Sequence, residues 1–474
     1  MKSVDDFLNS ITMYRLVLYV LICFLILALG FSLFNLLPFK PLNLFFSVIT
    51  LTIVCWITNQ IFAKFLNAPT NGESIYITAL ILSLIITPVN SLSQTPFLIV
   101  TAILASASKF IFAINKKHIF NPSAFAVFIS GLLLKFGASW WIGNPYMLIP
   151  VLIGGFLVVK KLRRFSLVLT FLVVYTIFTG PNIARTILEL PIFFFSFIML
   201  TEPQTTPPKA FQQVIYGGLI GITTFYQPPE VALLIGNIFS YIVSPKEKLF
   251  LKLKEKIQIA RDTYDFIFKL DRPLKYSAGQ YMEWTLSQKR PDLRGDRRFF
   301  TLASSPEENV LIIGVKTYPS GSSFKKSLLN MKAGDKIVAS QLSGEFTLPK
   351  DVSEKLVFLA GGIGITPFRS MIKYLLDRQE KRDIVLFYSN KISSEAVYKD
   401  IFDKASVKFG TKVIYVNTDT MGYIDEKMIR EKVPDFKERV FYISGPHSMV
   451  DTFEKTLKTM GVSKIKTDFF PGYA

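Results

Sequence analysis

Two cysteines and two histidines are all that the 474-residue chain offers as thiol or imidazole ligands. Cys23 and Cys55 both fall inside apolar runs, so no disulfide framework, zinc site or Cys-ligated iron–sulfur cluster can be assembled. A haem relay through helices needs paired histidines, and the first half of the chain has only His118. Redox chemistry here would therefore rest on organic cofactors. Acidic residues are also scarce at first. Residues 1–245 hold 14 Lys+Arg and 6 Asp+Glu, against 40 and 29 in residues 246–474. The net charge of +19 is strongly basic, yet both signs interleave after Pro245, which argues against nucleic acid as a partner.

What the chain has in abundance is apolar surface: half of its residues are hydrophobic and 44 are Phe. The run from Tyr14 to Leu37 is too long for a signal-peptide core and lacks a small-residue cleavage site. It reads as a retained membrane span. A helical span needs about 20 apolar residues, and ten segments come near: 14–37, 42–63, 75–89, 96–114, 122–137, 146–160, 165–179, 190–201, 213–226 and 229–244. With both termini cytoplasmic, the inner loops hold Lys64, Lys116, Lys117, Lys160, Lys161, Arg163, Arg164 and Lys209. The outer loops hold only Lys40, Lys135 and Arg185. This asymmetry predicts a multi-pass protein of the cell membrane with its second half in the cytoplasm.

Short spans broken by Pro, Asn and Gly can line a polar cavity with exposed backbone ends. "TEPQTTPPK" (201–209) is the strongest such joint, with a carboxylate, threonines and prolines where one helix stops and another starts. An ordinary loop rich in helix breakers would read the same way. Four stretches in order add to it: "NGESIYITALILSL" (71–84), "KHIFNPSAFAVF" (117–128), "MLTEPQTTP" (199–207) with "QVIYGGLIG" (213–221), and "PPEVALLIGNIFSYIVSP" (228–245). Together they resemble the family of flavin-carrying membrane proteins found in the Rnf complex and in the sodium-pumping NADH:quinone oxidoreductase. That resemblance implies a membrane domain holding flavin, as FMN or riboflavin, and passing electrons across the bilayer. The family attaches FMN to the last Thr of a Ser-Gly-Ala-Thr sequence, which is absent here. Thr179 or Thr186 in "FTGPNIART" would have to stand in. For a non-covalent flavin, Asn121, Thr205 and Thr206 would be polar wall residues. Plain helix capping is the competing reading of the same side chains.

From Lys248 the pattern changes. "KIQIARDTYDFIFKL", "AGQYMEWTL", "RRFFTLASS", "NVLIIGVKTY" and "DKIVASQLSGEFTL" alternate with period two between turn residues, which predicts a small antiparallel β-barrel. After Pro349 strands alternate with helices, which predicts a parallel sheet covered on both faces. On the strand "RRFFT", Arg298 suits a pyrophosphate, Phe300 a ring face, and Thr301 a hydrogen bond to a flavin where hydride arrives. "GSSFKKSL" (321–328) opens a helix with backbone N–H groups, a ready anion site. "LAGGIGITPFRSM" (359–371) runs from strand to helix with Pro367 in the first turn, and "YISGPHSMV" (442–450) ends a later strand at the same edge.

In this order the motifs resemble the ferredoxin–NADP⁺ reductase family, whose FAD-binding barrel precedes a nicotinamide-binding domain. By position, the resemblance gives FAD to Arg298, Phe300, Thr301, Gly321, Ser322 and Ser323, with Leu302, Ser304, Val315 and Lys316 beside them. It gives NAD(P)H to Gly361, Gly362, Gly364, Thr366, Pro367, Gly445 and Pro446. Many members carry Cys before the Gly-Pro, next to the nicotinamide. Here Ser444 stands there, so Thr301 and Ser444 are the expected catalytic pair. The end of the chain, "DFFPGYA", offers Asp468, Phe470 and Tyr473 near the flavin, or else a plain edge strand and tail. "YSNK" lacks the acidic residue that would hold an adenosine ribose hydroxyl, so Ser389 and Lys391 lean toward the 2′-phosphate of NADPH. His447 reads as a helix-start residue.

The whole reads as a polytopic α-helical membrane domain (1–245), an FAD-binding β-barrel (246–350) and an α/β NAD(P)-binding domain (351–474). NAD(P)H would reduce FAD in the cytoplasm, and flavin in the bilayer would relay electrons to a quinone, an extracytoplasmic flavin or a protein. A redox-driven Na⁺ or H⁺ pump and a membrane-tethered quinone reductase are the rival readings.

Overall fold

The computed structural model describes residues 7–8, 11–66, 72–114, 117–180, 191–244, 248–271, 273–288, 292, 294–318 and 321–468. The chain divides into two compact units, one mainly residues 1–248 and the other mainly residues 249–470.

The first unit is helical: α1 (Met13–Leu33), α2 (Pro41–Phe65), α3 (Gly72–Ile85), α4 (Thr95–Ile111), α5 (Pro122–Leu134), α6 (Pro145–Leu162), α7 (Phe165–Thr179), α8 (Ala210–Tyr226) and α9 (Pro229–Val243). Between α7 and α8 a short helix, Ile192–Phe194, runs into a π-helical turn, Phe195–Met199. A helix therefore lies on each of the ten apolar segments. Only α1, α2 and α6, among the described residues, are long and apolar enough to cross a membrane. The apolar helices α3, α4, α5, α7 and α9 have 13 to 17 residues, about 20–26 Å of rise, against a hydrocarbon core of about 30 Å. Helix breakers set those limits. Pro122 of α5 and Pro229 of α9 occupy first turns, and the side-chain oxygen of Asn121 caps α5. Much of the helix surface is apolar and outward. On α2, Leu42, Phe45, Ile49, Ile53, Ile57, Ile61 and Phe65 are exposed, a patch that a water-facing protein rarely tolerates. Inward faces pack closely: a Cβ on Gly217 of α8 would lie 2.6 Å from the Leu167 carbonyl oxygen of α7.

The second unit starts with β1 (Lys248–Ala260), β2 (Thr263–Lys269), β3 (Tyr281–Thr285), β4 (Arg297–Thr301), β5 (Val310–Lys316) and β6 (Lys336–Ser343), with α10 (Ser323–Leu329) before β6. Their order is β4-β3-β6-β1-β2-β5. Alternate residues from all six strands meet in one apolar core that includes Leu251, Phe268, Trp284, Phe300, Ile313 and Ile337, as a barrel requires.

A five-stranded parallel sheet follows, in the order β9-β8-β7-β10-β11. Its strands are β7 (Leu356–Gly361), β8 (Ile384–Asn390), β9 (Lys412–Asn417), β10 (Val440–Ser444) and β11 (Ile465–Thr467), with helices α11 (Thr366–Arg378), α12 (Lys399–Phe409), α13 (Glu426–Lys432) and α14 (His447–Thr459). The period-two pattern of β7 feeds two cores. Leu356, Phe358 and Ala360 meet α11 and α12, while Val357 and Leu359 meet α13 and α14. Both faces are covered, as the alternation predicts. The strand order reverses between β7 and β10, so the loops after Gly361 and Ser444 flank the switch point where such sheets bind ligands.

Candidate functional site

The residues expected at a flavin gather on and around β4. In register with β3, Arg298 faces Trp284, Phe300 faces Met282 and Thr301 faces Tyr281. Arg298 is fully buried, its guanidinium 5.2 Å from the ring of Phe324 in the first turn of α10. Phe300 shares that face and lies 6.1 Å from the same ring, inside the barrel core. Leu302 and Val315 also turn into this core. Ser304 is buried, its hydroxyl accepting from Ile312 N at 3.1 Å. Lys316 pairs with Glu395 at 3.1 Å. Gly321 closes a turn onto the Tyr318 carbonyl, and Ser322 caps α10 by accepting from Lys325 N. The Ser323 backbone N–H donates to Asp292 Oδ2 at 2.9 Å. An anion thus already sits at the start of α10, with the Arg298 charge against the same turn. These are donors of the kind a dinucleotide's phosphates take, and a phosphate at the Ser323 N–H would have to displace the Asp292 carboxylate.

At the other end of β4 the two halves of the unit meet. Thr301 Oγ1 donates to Asp468 Oδ2 at 3.4 Å, and Ser444 Oγ donates to the same oxygen at 3.1 Å. The Asp468 backbone N–H donates to the Ile443 carbonyl at 3.0 Å, which carries the β10–β11 pairing one residue further. Its Oδ1 is enclosed and has no hydrogen-bond partner among the described residues. Burial raises the Asp468 carboxyl to about 7, against the opposing pull of the Ser444 and Thr301 hydrogen bonds. A carboxyl that gains and loses a proton near neutrality, next to both expected catalytic hydroxyls, is suited to proton traffic.

The loops expected at the nicotinamide pack closely against each other. A Cβ on Gly364 would lie 2.5 Å from the Ser444 carbonyl oxygen and 2.6 Å from Gly445 Cα. Only glycine lets the two loops cross there. Gly361 packs in the same crossing against Met449 and Pro446, whereas Gly362 has a φ of +53° and open space beside it. The Thr366 hydroxyl donates to the Ile363 carbonyl, and Pro367 is buried in the first turn of α11. Ser389 and Lys391 lie at the carboxyl end of β8, Ser389 half-buried and Lys391 exposed. His447 opens α14, 3.0 Å from Asp451.

Four residues that the sequence does not single out fasten the nicotinamide-side loops to the barrel. Arg369 of α11 donates to both oxygens of Glu308, at 2.5 and 3.1 Å, and to the Ala303 carbonyl at 2.8 Å. Tyr398 donates to Asp265 Oδ1 of β2 at 2.5 Å. Burial lifts the Asp265 carboxyl to about 6, with the Tyr398 hydrogen bond acting against it.

Residues 358–455 match the oxidoreductase NAD-binding domain. The match runs from within β7 into α14 and so covers most of the parallel-sheet part of the second unit. The chain is 27% identical to a flavohemoprotein of Candida albicans over 241 residues, covering 47% of this chain and 59% of that protein. It is 28% identical to the NADH oxidoreductase HCR of Escherichia coli, covering 41% of this chain and 60% of the relative. With the NADH-cytochrome b5 reductase 1 of Aspergillus terreus it shares 24% over 48% of this chain and 82% of the other. The chain therefore spans less than two-thirds of the flavohemoprotein's length, and the NAD-binding domain accounts for only part of it.

In the helical unit, Asn121, Thr205 and Thr206 come together around Glu202. Asn121 Nδ2 and Thr205 Oγ1 donate to its carboxylate, and Thr206 Oγ1 donates to its main-chain oxygen. Asn121 Oδ1 accepts from Ala124 N, the capping role. These bonds are made among the residues themselves, so a flavin ring there would have to take them over. Thr179 gives its hydroxyl to carbonyls of its own helix. Thr186, Phe470 and Tyr473 lie outside the described residues.

Proposed function

We propose that the chain is a membrane-bound NAD(P)H-dependent flavin oxidoreductase that sends electrons from the cytoplasm to an acceptor at or beyond the outer face. The observation that supports it best is the Thr301–Asp468–Ser444 cluster, which joins the end of the barrel strand β4 to the carboxyl edge of the parallel sheet. On this reading residues 246–350 hold FAD, residues 351–474 hold NAD(P)H, and residues 1–245 form a membrane domain with its own flavin, FMN or riboflavin. FAD, when bound, supplies a ring that accepts a hydride and releases electrons singly.

The protein's own residues do the rest. Arg298 and the first turn of α10 hold the pyrophosphate, and Ser322 and Ser323 fix that turn. Gly361, Gly364 and Gly445 set how far the nicotinamide reaches toward Thr301. Ser444 and Thr301 orient the reacting edges, and Asp468 holds or gives up the proton between them. Ser389 and Lys391 favour the extra phosphate of NADPH. The outward apolar faces of α1, α2 and α6 meet lipid, and the loop charges put both termini inside.

The shortness of the other apolar helices favours a second reading, a tethered NAD(P)H:quinone reductase without a relay. Flavin content separates the two. Protein purified in detergent and extracted with acid yields FAD plus a second flavin if the relay exists, and FAD alone if the helices only anchor.

A further inference from the structure

Around the loop after the π-helical turn, polar residues far apart in sequence meet, and Asn121 and Asn237 are 116 positions apart. Glu202 Oε2 accepts from Asn121 Nδ2 at 2.9 Å and from Thr205 Oγ1 at 3.0 Å. Its Oε1 lies 3.7 Å from His118 Nε2. Two short strands, Lys117–His118 paired antiparallel to Ala113–Ile114, bring His118 there. Deeper in, Asn237 Oδ1 of α9 accepts from Asn121 N at 2.7 Å, and Asn237 Nδ2 donates to the Tyr216 hydroxyl of α8 at 3.1 Å. Asn237 and Tyr216 are buried, whereas the Glu202 and His118 side chains are 25% and 15% exposed. A hydrogen-bonded series thus runs from the helix interior to an accessible edge. Lys109 also acts on Glu202, and Arg164 acts on Tyr216.

An ionisable residue among apolar helices calls for a ligand or a proton. The donors decide which. A metal cation needs several oxygens converging on one point. Here Asn121 turns its NH₂ toward Glu202 and spends its oxygen on Ala124 N, and the Thr206 hydroxyl donates to the Glu202 main chain. The cluster presents N–H groups where a cation would want lone pairs. A proton needs only one carboxylate oxygen and a neighbour that can exchange it, and Oε1 with His118 supplies both.

We propose that Glu202 is a proton-binding site of the helical unit, with His118 as its exchange partner. The only bond that changes is O–H: the carboxylate gains a proton from the imidazolium or from water and returns it. The proposal deepens the relay reading, because an electron entering the helical unit is then matched by a proton at Glu202.

Two experiments on the full-length protein test it. Burial pushes the Glu202 carboxyl up, but His118, Thr205 and Lys109 outweigh it and hold the group below the usual carboxylate range. Infrared difference spectroscopy in detergent, stepped from about pH 2 to about pH 9, therefore reads its protonation without any electron transfer. The expected wild-type spectrum contains a protonated-carboxyl C=O band that E202Q lacks and H118Q shifts. Gln keeps an oxygen for the Asn121 and Thr205 hydrogen bonds, so the fold survives the change. Identical spectra for wild type and E202Q would overturn the proposal. In sealed vesicles, E202Q lowers NAD(P)H-driven reduction of a trapped acceptor on the order of 100-fold. Ferricyanide reduction at the C-terminal half is unchanged, and E202D restores much of the rate and its pH dependence. Equal trapped-acceptor rates in wild type and E202Q would also overturn it. If wild-type vesicles reduce no trapped acceptor, the relay reading falls and the infrared result alone decides the proton site.

Discussion

Asp468→Asn is the most informative single change in the C-terminal half. Asparagine keeps an oxygen for the Thr301 and Ser444 hydroxyls and removes only the proton equilibrium. Burial lifts this carboxyl from 3.8 to about 7, so between those values the folded state holds a proton that the unfolded chain has lost. The stability tied to this group is fully present below about pH 4 and gone once the pH passes about 7. A gap of about three pH units corresponds to about 4 kcal/mol as an upper bound, and partial solvation brings it nearer to about 2 kcal/mol. For a unit of this size that is about 4–8 °C in melting temperature. D468N and wild type should therefore melt together at about pH 4, with D468N higher by that amount at about pH 8. In stopped-flow flavin reduction by NAD(P)H, wild type should show an inflection near 7 that D468N lacks. An inflection that persists in D468N, or melting curves that stay parallel across the range, would refute the assignment.

Other outcomes follow from the same geometry. G364A forces a methyl to within 2.5 Å of the Ser444 carbonyl, so nicotinamide affinity falls at least about tenfold in titrations while FAD content is unchanged. R369A strands Glu308 and the Ala303 carbonyl, and costs about 3–5 kcal/mol in the melting of the C-terminal unit. R369K, which cannot make the two-pronged pair, recovers only part of it. K391E raises KM for NADPH on the order of tenfold and leaves that for NADH within a factor of about two, if the 2′-phosphate lies at the end of β8.

Sequence pattern carried some of this and not the rest, for physical reasons. Period-two alternation marks β4, β5 and β7 directly, because each strand feeds a core on one or both faces. The apolar segments likewise mark each of the helices α1 to α9. Their ends were less legible, since hydropathy continues past the proline or asparagine that stops the helix: segment 122–137 is helical only to Leu134. Contacts between distant residues were not legible at all. Thr301 and Asp468 stand 167 positions apart, Arg369 and Glu308 61, and Asn121 and Glu202 81. Single residues were nameable, but no spacing rule says that they touch. Arg369, Glu308, Asp265 and Tyr398 gave no signal of their own because their work is to join two folded layers, which no local pattern encodes. Asp292 at the start of α10 was missed for the same reason.

The central claim is that electrons taken from NAD(P)H cross the bilayer through this one chain. The direct test is the purified full-length protein in sealed vesicles that contain a membrane-impermeant acceptor, with NAD(P)H added outside. The account predicts that the trapped acceptor is reduced. External NAD(P)H that bleaches the FAD while the trapped acceptor stays oxidised would contradict it.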